Sequence, residues 1–166
     1  ASMTQSGAIV TPQLAVTANA AVTLLNIDND VATLAVNTTG DISYLDKNGF
    51  DVGAYSGVTG IDTTSGATVT LTAGGAGNIS QTQAIKNASI LVVSAGGSLD
   101  LAHADNTIAN LGAVSAGTGI DINDKTLGLS IDGNIVSTTG NVQIHTEGGN
   151  LTLADTRTIT VNGAGN

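Results

Sequence analysis

The residues that could bind a metal ion in this chain are mainly aspartates, and two of them occupy equivalent positions in a repeated phrase. Asp100 lies in the segment 97–101 (GSLDL), and Asp121 lies in the segment 119–122 (GIDI). If these segments stack as neighbouring strands, the two carboxylates come within about 5 Å, where they repel each other or share Ca²⁺. Asp124 is a further Ca²⁺ candidate. Because Ca²⁺ takes six or more oxygen ligands, the sequence favours a hydrated acidic ladder with no metal and no cofactor.

The aromatic side chains of the chain are Tyr44, Phe50 and Tyr55, which lie close together in the sequence. Aromatic rings on a loop can stack on sugar rings or on another protein, so these three are the possible ligand-contact residues. The same rings could instead fill or cap a hydrophobic interior. We prefer the second interpretation, which predicts that all three rings are buried.

Residue types suited to catalysis are sparse. An enzyme that cleaves acidic polysaccharides needs a base and a charge-stabilising cation on one face. The cations are scattered along the chain, as Lys47, Lys86, Lys125 and Arg157. His103 and His145 follow similar strands in coils that are not adjacent, so a shared metal ion is not expected. The sequence therefore predicts no catalytic residues and no enzyme activity.

Threonine forms a pattern that suggests a different chemistry. Thr68, Thr70 and Thr72 alternate with other residues along one strand, and the segment 156–160 (TRTIT) repeats this alternation. A regular array of such strands can bind ice. The array requires the pattern in successive coils, whereas the coils between these segments carry Asp, Gln and Ser. The sequence therefore does not predict ice binding.

The composition limits the class of protein. Of 166 residues, 22 are glycine, 41% are hydrophobic, 10% are charged and none is cysteine. This apolar content argues against disorder, and the chain needs no disulfide or thiolate metal site. A net charge of −9 disfavours nucleic acids and anionic membrane surfaces as partners. Because no apolar run is long enough to span a bilayer, membrane insertion is not predicted either.

The elements that must position these residues are short strands. Apolar and polar residues alternate over short stretches bounded by Gly, Asn, Ser and Thr. A glycine followed by apolar–polar–apolar residues recurs near positions 97, 119, 140 and 149, with the first copies about 21 residues apart. A parallel β-helix requires such a repeat, because each coil places its inward residues above those of the coil below. We predict an all-β fold, a parallel β-helix (β-solenoid) with coils of about 20–25 residues.

One coil can be followed residue by residue. Leu99 and Leu101 point inward on the first strand, and Ile120 and Ile122 return to the same side one coil later. The other predicted inward residues are Ile108, Leu111, Val114, Leu127, Leu129, Ile131, Ile135, Val142 and Ile144, and the earlier residues Ile79, Ile85, Ile90 and Val92 fit the same pattern less regularly. The glycine before each phrase is expected to supply a positive φ or a close approach at a corner.

The regularity of the pattern divides the chain into two parts. Residues 1–60 are predicted to hold the first, less regular coils with an aromatic-containing loop, and residues 61–166 the regular coils. The segment 46–49 (DKNG) predicts a turn, and the segment 26–30 (NIDND) is interpreted as a plain polar turn. Because the chain ends without an element that would close the coils, we expect it to be a piece of a longer protein.

The segments 108–117 (IANLGAVSAG) and 148–154 (GGNLTLA) resemble the repeats of filamentous-haemagglutinin-type adhesins. These are large exported bacterial proteins of the two-partner secretion class. The resemblance extends over roughly residues 66–166, and it implies a right-handed parallel β-helix with an adhesive or surface-display role. The Asn-Pro signatures of the family's amino-terminal secretion domain and an Arg-Gly-Asp motif are absent from the sequence. The chain would therefore correspond to a stalk.

These observations predict a structural stalk or surface-display segment of a large bacterial adhesin, secreted or held at the cell surface, without catalysis. Its expected partners are neighbouring repeats of a longer polypeptide, and a host-cell or glycan ligand is a further possible partner. The alternative is a carbohydrate-binding or polysaccharide-processing β-helix domain. A groove with two or more converging carboxylates would favour the enzyme over the stalk.

Overall fold

The structure is a computed structural model that describes residues 1–126 and 128–163. Within these residues the chain is all-β, with no helix long and apolar enough to cross a membrane, and its strands wind into a β-solenoid of about 7 turns. In chain order the strands are β1 (Met3–Thr4), β2 (Val10–Ala18), β3 (Val22–Leu24), β4 (Asp30–Thr38), β5 (Ile42–Asp46), β6 (Gly49–Val52), β7 (Ala54–Tyr55), β8 (Val58–Thr59), β9 (Ile61–Asp62), β10 (Thr68–Ala73), β11 (Asn78–Gln81), β12 (Ile85–Lys86), β13 (Ile90–Ala95), β14 (Ser98–Leu101), β15 (Asn110–Ala116), β16 (Gly119–Asp124), β17 (Gly128–Ile131), β18 (Ile135–Ser137), β19 (Val142–Thr146), β20 (Asn150–Leu153) and β21 (Ile159–Val161). The predicted all-β solenoid is confirmed.

Two long parallel sheets form the walls of the solenoid. Sheet A contains ten strands in the main order β1-β3-β5-β10-β13-β15-β17-β20, with β18 paired to β15 and to β21. Sheet B contains nine strands in the main order β12-β9-β4-β6-β11-β14-β16-β19, with β2 paired to β4. The chain passes repeatedly between the two sheets, so that both walls grow coil by coil, and the strands of successive coils pair in parallel. The short strands β7 and β8 form an antiparallel hairpin outside both sheets.

The register of the strands follows the repeated phrase in the sequence. β14 and β16 pair in parallel, so that Leu99 lies beside Ile120 and Leu101 lies beside Ile122. All four side chains are buried. The register predicted for this phrase, with its apolar residues inside, is therefore confirmed.

A single hydrophobic core extends along the axis of the solenoid. Alternate residues of each strand point inward, because successive side chains of a strand lie on opposite faces. Among the buried core residues are Val22, Leu24, Leu34, Val36, Val69, Leu71, Ile79, Ile85, Leu91, Val93, Ile108, Leu111, Val114, Leu129, Ile131 and Ile135. Val142 and Ile144 pack against this core while partly buried, and Leu127 lies outside the described residues. Each inner coil therefore buries its apolar side chains against its neighbours, as in other solenoids.

Glycine occupies the corner at which the strands of sheet A lead into those of sheet B. A Cβ atom on Gly96 would collide with the carbonyl oxygen of Gly75 in the preceding coil. A Cβ atom on Gly117 would collide in the same way with the carbonyl oxygen of Gly96. The φ angles of Gly96 and Gly117 are not in the left-handed region, so glycine is required here for close backbone approach.

The strand β13 enters sheet A one residue out of the predicted phase. Leu91 and Val93 fill the core, whereas Ile90 is 38% exposed and Val92 is half-buried on the outer face. The expectation that Ile90 and Val92 point inward was therefore wrong. Residues 90–93 are all apolar, so the alternation of apolar and polar residues does not decide which of them point inward. Pairing with β10, which places Leu91 beside Val69, sets it instead.

Residues 1–60 belong to the same two sheets as the rest of the chain. β2 pairs in register with β4, and β5 pairs with β10, so the core is continuous through this part. The irregularity has a local cause, because the hairpin β7–β8 is inserted between β6 and β9, and both of these strands pair with β4. The hairpin turn has positive φ at Ser56 (51°) and Gly57 (84°), which is typical of two-residue hairpin loops.

Val93 and Ser94 are adjacent residues of β13 that test which face of sheet A lies inward. Val93 is buried and Ser94 is exposed. Val93→Asp should lower the free energy of unfolding by about 4 kcal/mol or more, because it buries an unpaired charge. The matched variant Ser94→Asp should change it by less than about 1 kcal/mol, since it adds a charge to the surface. Denaturant unfolding followed by circular dichroism measures both, and equal losses would contradict this phase.

Candidate functional site

Buried and half-buried polar side chains stack at two places along the solenoid, each at the carboxyl ends of three strands. The first stack, the N-terminal polar column, consists of Gln5, Asn29 and Asp46, which lie at or after the ends of β1, β3 and β5 in sheet A. Gln5 and Asn29 exchange two hydrogen bonds through their side-chain amides, at 2.8 and 3.0 Å. The chain leaves its regular strand pairing at these points, so side chains supply hydrogen bonds to the backbone there.

Asn29 is completely buried, and its side chain connects three coils. Its Nδ2 donates to the carbonyl oxygens of Leu24 at 3.3 Å and Leu45 at 3.0 Å. Its Oδ1 accepts from the backbone N–H of Ile9 at 2.9 Å. These bonds satisfy backbone groups that would otherwise be buried without a partner, which costs about 1–3 kcal/mol per group.

The carboxylate of Asp46 is also completely buried and accepts four hydrogen bonds. Three come from the backbone N–H groups of Val31 at 2.9 Å and of Asn48 and Gly49 at 3.0 Å each. The fourth comes from the hydroxyl of Tyr44 at 2.9 Å. The predicted turn at residues 46–49 is therefore present, and the Asp46 carboxylate holds it.

Tyr44 connects the polar column to the hydrophobic core. Its ring lies 5.0 Å from that of Phe50, centroid to centroid, in an edge-to-face arrangement with an interplanar angle of 89°. Burial, followed by the charge of the Asp46 carboxylate, raises the pKa of the Tyr44 hydroxyl far above its usual range. The hydroxyl therefore remains a donor to Asp46 throughout the physiological pH range.

The second stack, the C-terminal polar column, repeats the same residue types in the same order. It consists of Gln81, Asn106 and Asp124, at or after the ends of β11, β14 and β16 in sheet B. Gln81 and Asn106 exchange two hydrogen bonds at 2.9 Å each, and Asn106 is completely buried. The same three residue types therefore form an equivalent corner at the ends of strands in each of the two sheets.

The contacts of the C-terminal polar column match those of the first. Asn106 Nδ2 donates to the carbonyl oxygens of Leu101 at 2.8 Å and Asn123 at 3.0 Å, and its Oδ1 accepts from the backbone N–H of Ile85 at 2.8 Å. Asp124 Oδ1 accepts from the backbone N–H of Ile108 at 2.8 Å. These bonds correspond to those that Asn29 makes to Leu24, Leu45 and Ile9 and that Asp46 makes to Val31.

The three calcium candidates do not converge on one point. Asp100 and Asp121 are paired neighbours on the outer face of sheet B, whereas Asp124 points inward and is completely buried. The carboxylate of Asp124 is occupied by the backbone N–H groups of Ile108 and Thr126 and by the Thr126 hydroxyl. Asp124 cannot share a cation with the other two, because successive positions of a strand alternate between faces and Asp124 lies three positions after Asp121. Within the described residues, no three His, Cys, Asp or Glu side chains come together.

The three aromatic residues separate into two environments. Tyr44 and Phe50 lie in the core at 0% and 4% exposure, so neither ring is available to a ligand. Tyr55 lies on the hairpin β7–β8 and is 42% exposed. The expectation that all three rings are buried was therefore wrong for Tyr55, because the hairpin projects outside the two sheets.

Two of the lysines form ion pairs beside the polar columns. Lys47 Nζ lies 2.7 Å from Asp30 Oδ2, and Lys125 Nζ lies 2.6 Å from Asp105 Oδ1. These hydrogen bonds hold the pKa of both carboxyls below their usual range and the pKa of both lysines above theirs. Exposed ion pairs contribute little to stability, and these pairs leave two fewer cations for an acidic substrate.

The histidines lie apart, as their positions in the coils predicted. His103 follows β14 and His145 lies in β19, and β16 separates these strands in sheet B. His103 Nδ1 accepts a hydrogen bond from the backbone N–H of Asp105 at 3.1 Å, so it stabilises a turn.

Sequence reasoning missed the polar columns, although the sequence carries a signal for them. The dipeptide Asp-Asn occurs at 28–29 and again at 105–106, and Asp-Lys occurs at 46–47 and again at 124–125. The phrase Gln-x-x-Ala-Ile likewise occurs at 5–9 and 81–85. This repeat is longer than one coil, so the one-coil pattern of glycine and apolar residues does not contain it. The plain polar turn expected at 26–30 was wrong in one respect, since Asn29 is buried.

Tyr44→Phe tests the coupling between Tyr44 and Asp46. At neutral pH it should cost about 1–3 kcal/mol, because it removes a hydrogen bond to a buried carboxylate. The raised pKa of Tyr44 contributes stability that is complete below pH ~10 and is lost as pH rises further, because the unfolded chain then ionises first. Unfolding measured from pH 8 to pH 12 should therefore show a shallower alkaline loss in Tyr44→Phe than in the native chain. Tyr55→Phe should retain the native slope, and equal slopes in all three proteins would contradict the coupling.

Asp121→Asn tests the acidic ladder formed by Asp100 and Asp121. Like charges on directly paired residues are destabilising, so the variant should gain a few tenths of a kcal/mol at low salt and lose this gain in ~1 M salt. Asp155→Asn, which removes an exposed carboxylate between β20 and β21, should show a smaller gain. Thermal melts at both salt concentrations measure the effect. Stabilisation of the native chain by millimolar Ca²⁺ that disappears in Asp121→Asn would instead indicate a calcium site.

No protein-family model, no curated protein and no solved structure matches this chain. The architecture is therefore established by the strand pairing of the structure itself. The resemblance of segments 108–117 and 148–154 to filamentous-haemagglutinin-type repeats stays a prediction.

Proposed function

We propose that this chain is a structural stalk or surface-display segment of a large secreted bacterial adhesin, and that it has no catalytic activity. The main support is that one apolar core and a continuous series of paired strands extend along the described solenoid. At about 4.8 Å per coil, about 7 coils hold the two ends on the order of 35 Å apart. A rod of this kind separates what it carries from the surface to which it is attached.

The distribution of charge also supports a stalk over an enzyme. Cleavage of an acidic polysaccharide requires a base and a cation that face the same substrate. On sheet B, Asp121 pairs with Asp100 on one side and with Gln143 on the other, so this row contains two carboxylates and an amide but no cation. Lys47 and Lys125 are engaged by Asp30 and Asp105.

The last described coil supports the proposal that neighbouring repeats of a longer polypeptide pack against this chain. Leu151 and Leu153 pair with Leu129 and Ile131, which are buried core residues. Leu151 and Leu153 are nevertheless 44% and 48% exposed. A further coil in the same register would cover these side chains, and the removal of apolar surface from water would favour its addition.

Tyr55 supports the alternative, a carbohydrate-binding or polysaccharide-processing β-helix domain. It is an exposed aromatic ring on a hairpin that lies against β2 and β4. A tyrosine in this setting presents an apolar ring face together with a polar hydroxyl, which suits stacking on a sugar. A single exposed ring is a weaker basis than the continuous core, so the stalk is preferred.

Tyr55→Ala separates the stalk from the carbohydrate-binding alternative. The stalk predicts that the native chain binds no member of a glycan array and releases no product from pectin or alginate. The variant should lose less than about 1 kcal/mol of stability, because the ring is largely exposed. Glycan binding that is lost in Tyr55→Ala and retained in Tyr55→Phe would support carbohydrate binding. Cleavage that is lost in Asp121→Asn, which removes one of the two paired carboxylates on the outer face of sheet B, would support the enzyme.

A further inference from the structure

The chain contains one structural unit twice. The strands of the first unit, β1–β6, β9 and β10, correspond in order to β11 and β13–β19 of the second. Among the described residues, the hairpin β7–β8 has a place in the first unit alone. The two polar columns occupy equivalent places in this unit. Strands β20 and β21 correspond to β11 and β12, so a third unit begins in the last described coil.

Corresponding strands pair in the same register. Gly49, with a φ of 107°, lies beside Asn78 where β6 pairs with β11. Gly128, with a φ of 149°, lies beside Asn150 where β17 pairs with β20. The pairs β2–β4, β3–β5, β4–β6, β4–β9, β5–β10 and β9–β12 are repeated in the same way as β13–β15, β14–β16, β15–β17, β15–β18, β16–β19 and β18–β21. The unit is therefore a repeat of strand pairing as well as of residue types.

The two units are joined in sheet A, where β13 of the second pairs with β10 of the first. Val69 lies beside Leu91. Leu71 lies beside Val93. The strand of the second unit that corresponds to β10 is β19, which within the described residues pairs with β16 alone, so that its other edge is free. This internal junction therefore shows what the free edge of β19 can bind, which is a strand of the same kind as β13.

A second copy of the chain carries a strand of this kind at its N-terminal end. The segment 14–18 of β2 (LAVTA) corresponds to the segment 91–95 of β13 (LVVSA). Val16 and Val93 occupy equivalent positions, and both are buried. Among the described strands β2 pairs with β4 alone, so β2 also has a free edge. The two ends of the solenoid are therefore complementary.

We propose that this chain binds a second copy of itself head to tail, with β19 of one copy paired in parallel with β2 of the next. The register of the internal junction then places Val142 beside Leu14 of the next copy. It likewise places Ile144 beside Val16 of the next copy. Both strands belong to sheet B, so this wall continues from one copy into the other. The contact pairs the backbone groups of two free edges and covers the apolar side chains behind them.

The contact extends into sheet A through β20. In the internal junction β11 pairs with β14, and the corresponding strands at the two ends are β20 and β3. In the next copy β3 is paired with β1, a strand of two exposed residues, so β20 takes the place of β1. Leu151 then lies beside Val22 of the next copy, in the position that Met3 holds within one chain. The exchange removes the exposed side chains of Leu151 and Leu153 from water, which favours it.

The N-terminal polar column of the next copy limits the cost of this exchange. Displacement of β1 and the residues after it breaks the two amide hydrogen bonds between Gln5 and Asn29. It also removes the Ile9 N–H that donates to Asn29. Ile159 is equivalent to Ile9 and to Ile85, whose N–H donates to the second column. The Ile159 N–H therefore replaces the lost donor, and Asn29 keeps all of its bonds to backbone groups.

This contact goes beyond the proposed stalk function, because it joins copies of the chain to one another. Each copy adds about 7 coils and continues the same two walls. The net charge of −9 on each copy opposes association, and salt screens that repulsion. Association should therefore strengthen as the salt concentration rises.

Cysteine cross-linking of the purified chain tests the register, since the chain has no cysteine of its own. In the internal junction Thr72 lies beside Ser94 on the outer face. The corresponding residues at the two ends are His145 and Thr17, and both are exposed. In the proposed contact their Cα atoms are about 4.8 Å apart, a distance that a disulfide can span. Because they lie at opposite ends of one solenoid, a disulfide between them joins two copies.

His145→Cys combined with Thr17→Cys should form a ladder of covalent oligomers under mild oxidation, and mass spectrometry should identify the disulfide between positions 17 and 145. The matched control combines His145→Cys with Asn37→Cys. Asn37 is exposed and lies beside Thr17 in the same outer row, one strand further from the end. Its Cα is then about 10 Å from that of position 145 in the neighbouring copy, which is too far for a disulfide, so the control should form no ladder.

Sedimentation of the purified chain over a range of concentrations tests the contact without cysteines. The average mass of the native chain should rise with protein concentration, and rise further in ~1 M salt. Leu151→Lys places a charge in the contact and should keep the chain monomeric. Ile90→Lys makes the same change at an exposed apolar residue in the middle of the solenoid and should associate like the native chain. Circular dichroism confirms that each variant is folded.

Three results would overturn the inference. The first is a native chain that stays monomeric at every protein and salt concentration, which would leave the C-terminal edge to a further coil of a longer polypeptide. The second is an equal ladder from both cysteine pairs. The third is an association that Ile90→Lys weakens and Leu151→Lys does not, which would assign the contact to the outer face of sheet A. None of these results bears on the stalk, which the glycan array tests separately.

Discussion

Backbone hydrogen bonding between successive coils is the constraint on which the rest of this structure depends. Within the strands, each coil satisfies the N–H and C=O groups of the coil before it. At the corners the regular pairing fails, and buried polar groups need other partners. Asn29 and Asn106 meet this need, because each donates to two carbonyls from different coils and accepts from a third. The hydrophobic core can be continuous only because these corners are satisfied.

The two polar columns show that either wall of the solenoid can satisfy the buried backbone groups at its corners in the same way. The N-terminal column follows strands of sheet A, and the C-terminal column follows strands of sheet B, yet both use Gln, Asn and Asp in the same order. A lysine follows the aspartate in each column and pairs with a nearby carboxylate. The main difference is the residue two places before the aspartate, which is Tyr44 in one column and Ile122 in the other. Tyr44 adds a hydrogen bond to Asp46, and Ile122 adds only apolar contact.

The sequence predicts those parts of the fold that are determined by the alternation of apolar and polar residues and by the positions of glycine. The pairing of Leu99 with Ile120 could be predicted, because the aspartate that follows each of them must face solvent. The phase of residues 90–93 could not be predicted, because a run that is apolar on both faces satisfies either choice. The burial of Asp46 and Asp124 was also missed, because a carboxylate is expected to face solvent unless its hydrogen-bond donors are known. Those donors are backbone N–H groups from neighbouring coils, such as that of Val31, and only the three-dimensional register brings them together.

The same constraint leaves the outward side chains free to differ between the two walls. Inward positions must fill a narrow core, and corner positions must supply hydrogen bonds, so neither can vary much without loss of stability. Outward positions on sheet A are uncharged and are mostly Thr, Ser or Val, while those on sheet B include Asp51, Asp100 and Asp121 and are partly covered by the hairpin that carries Tyr55. Differences of this kind are not needed for folding. The information about what this solenoid contacts is therefore concentrated in its outer rows and in its hairpin, and it is there that variants should separate binding from stability.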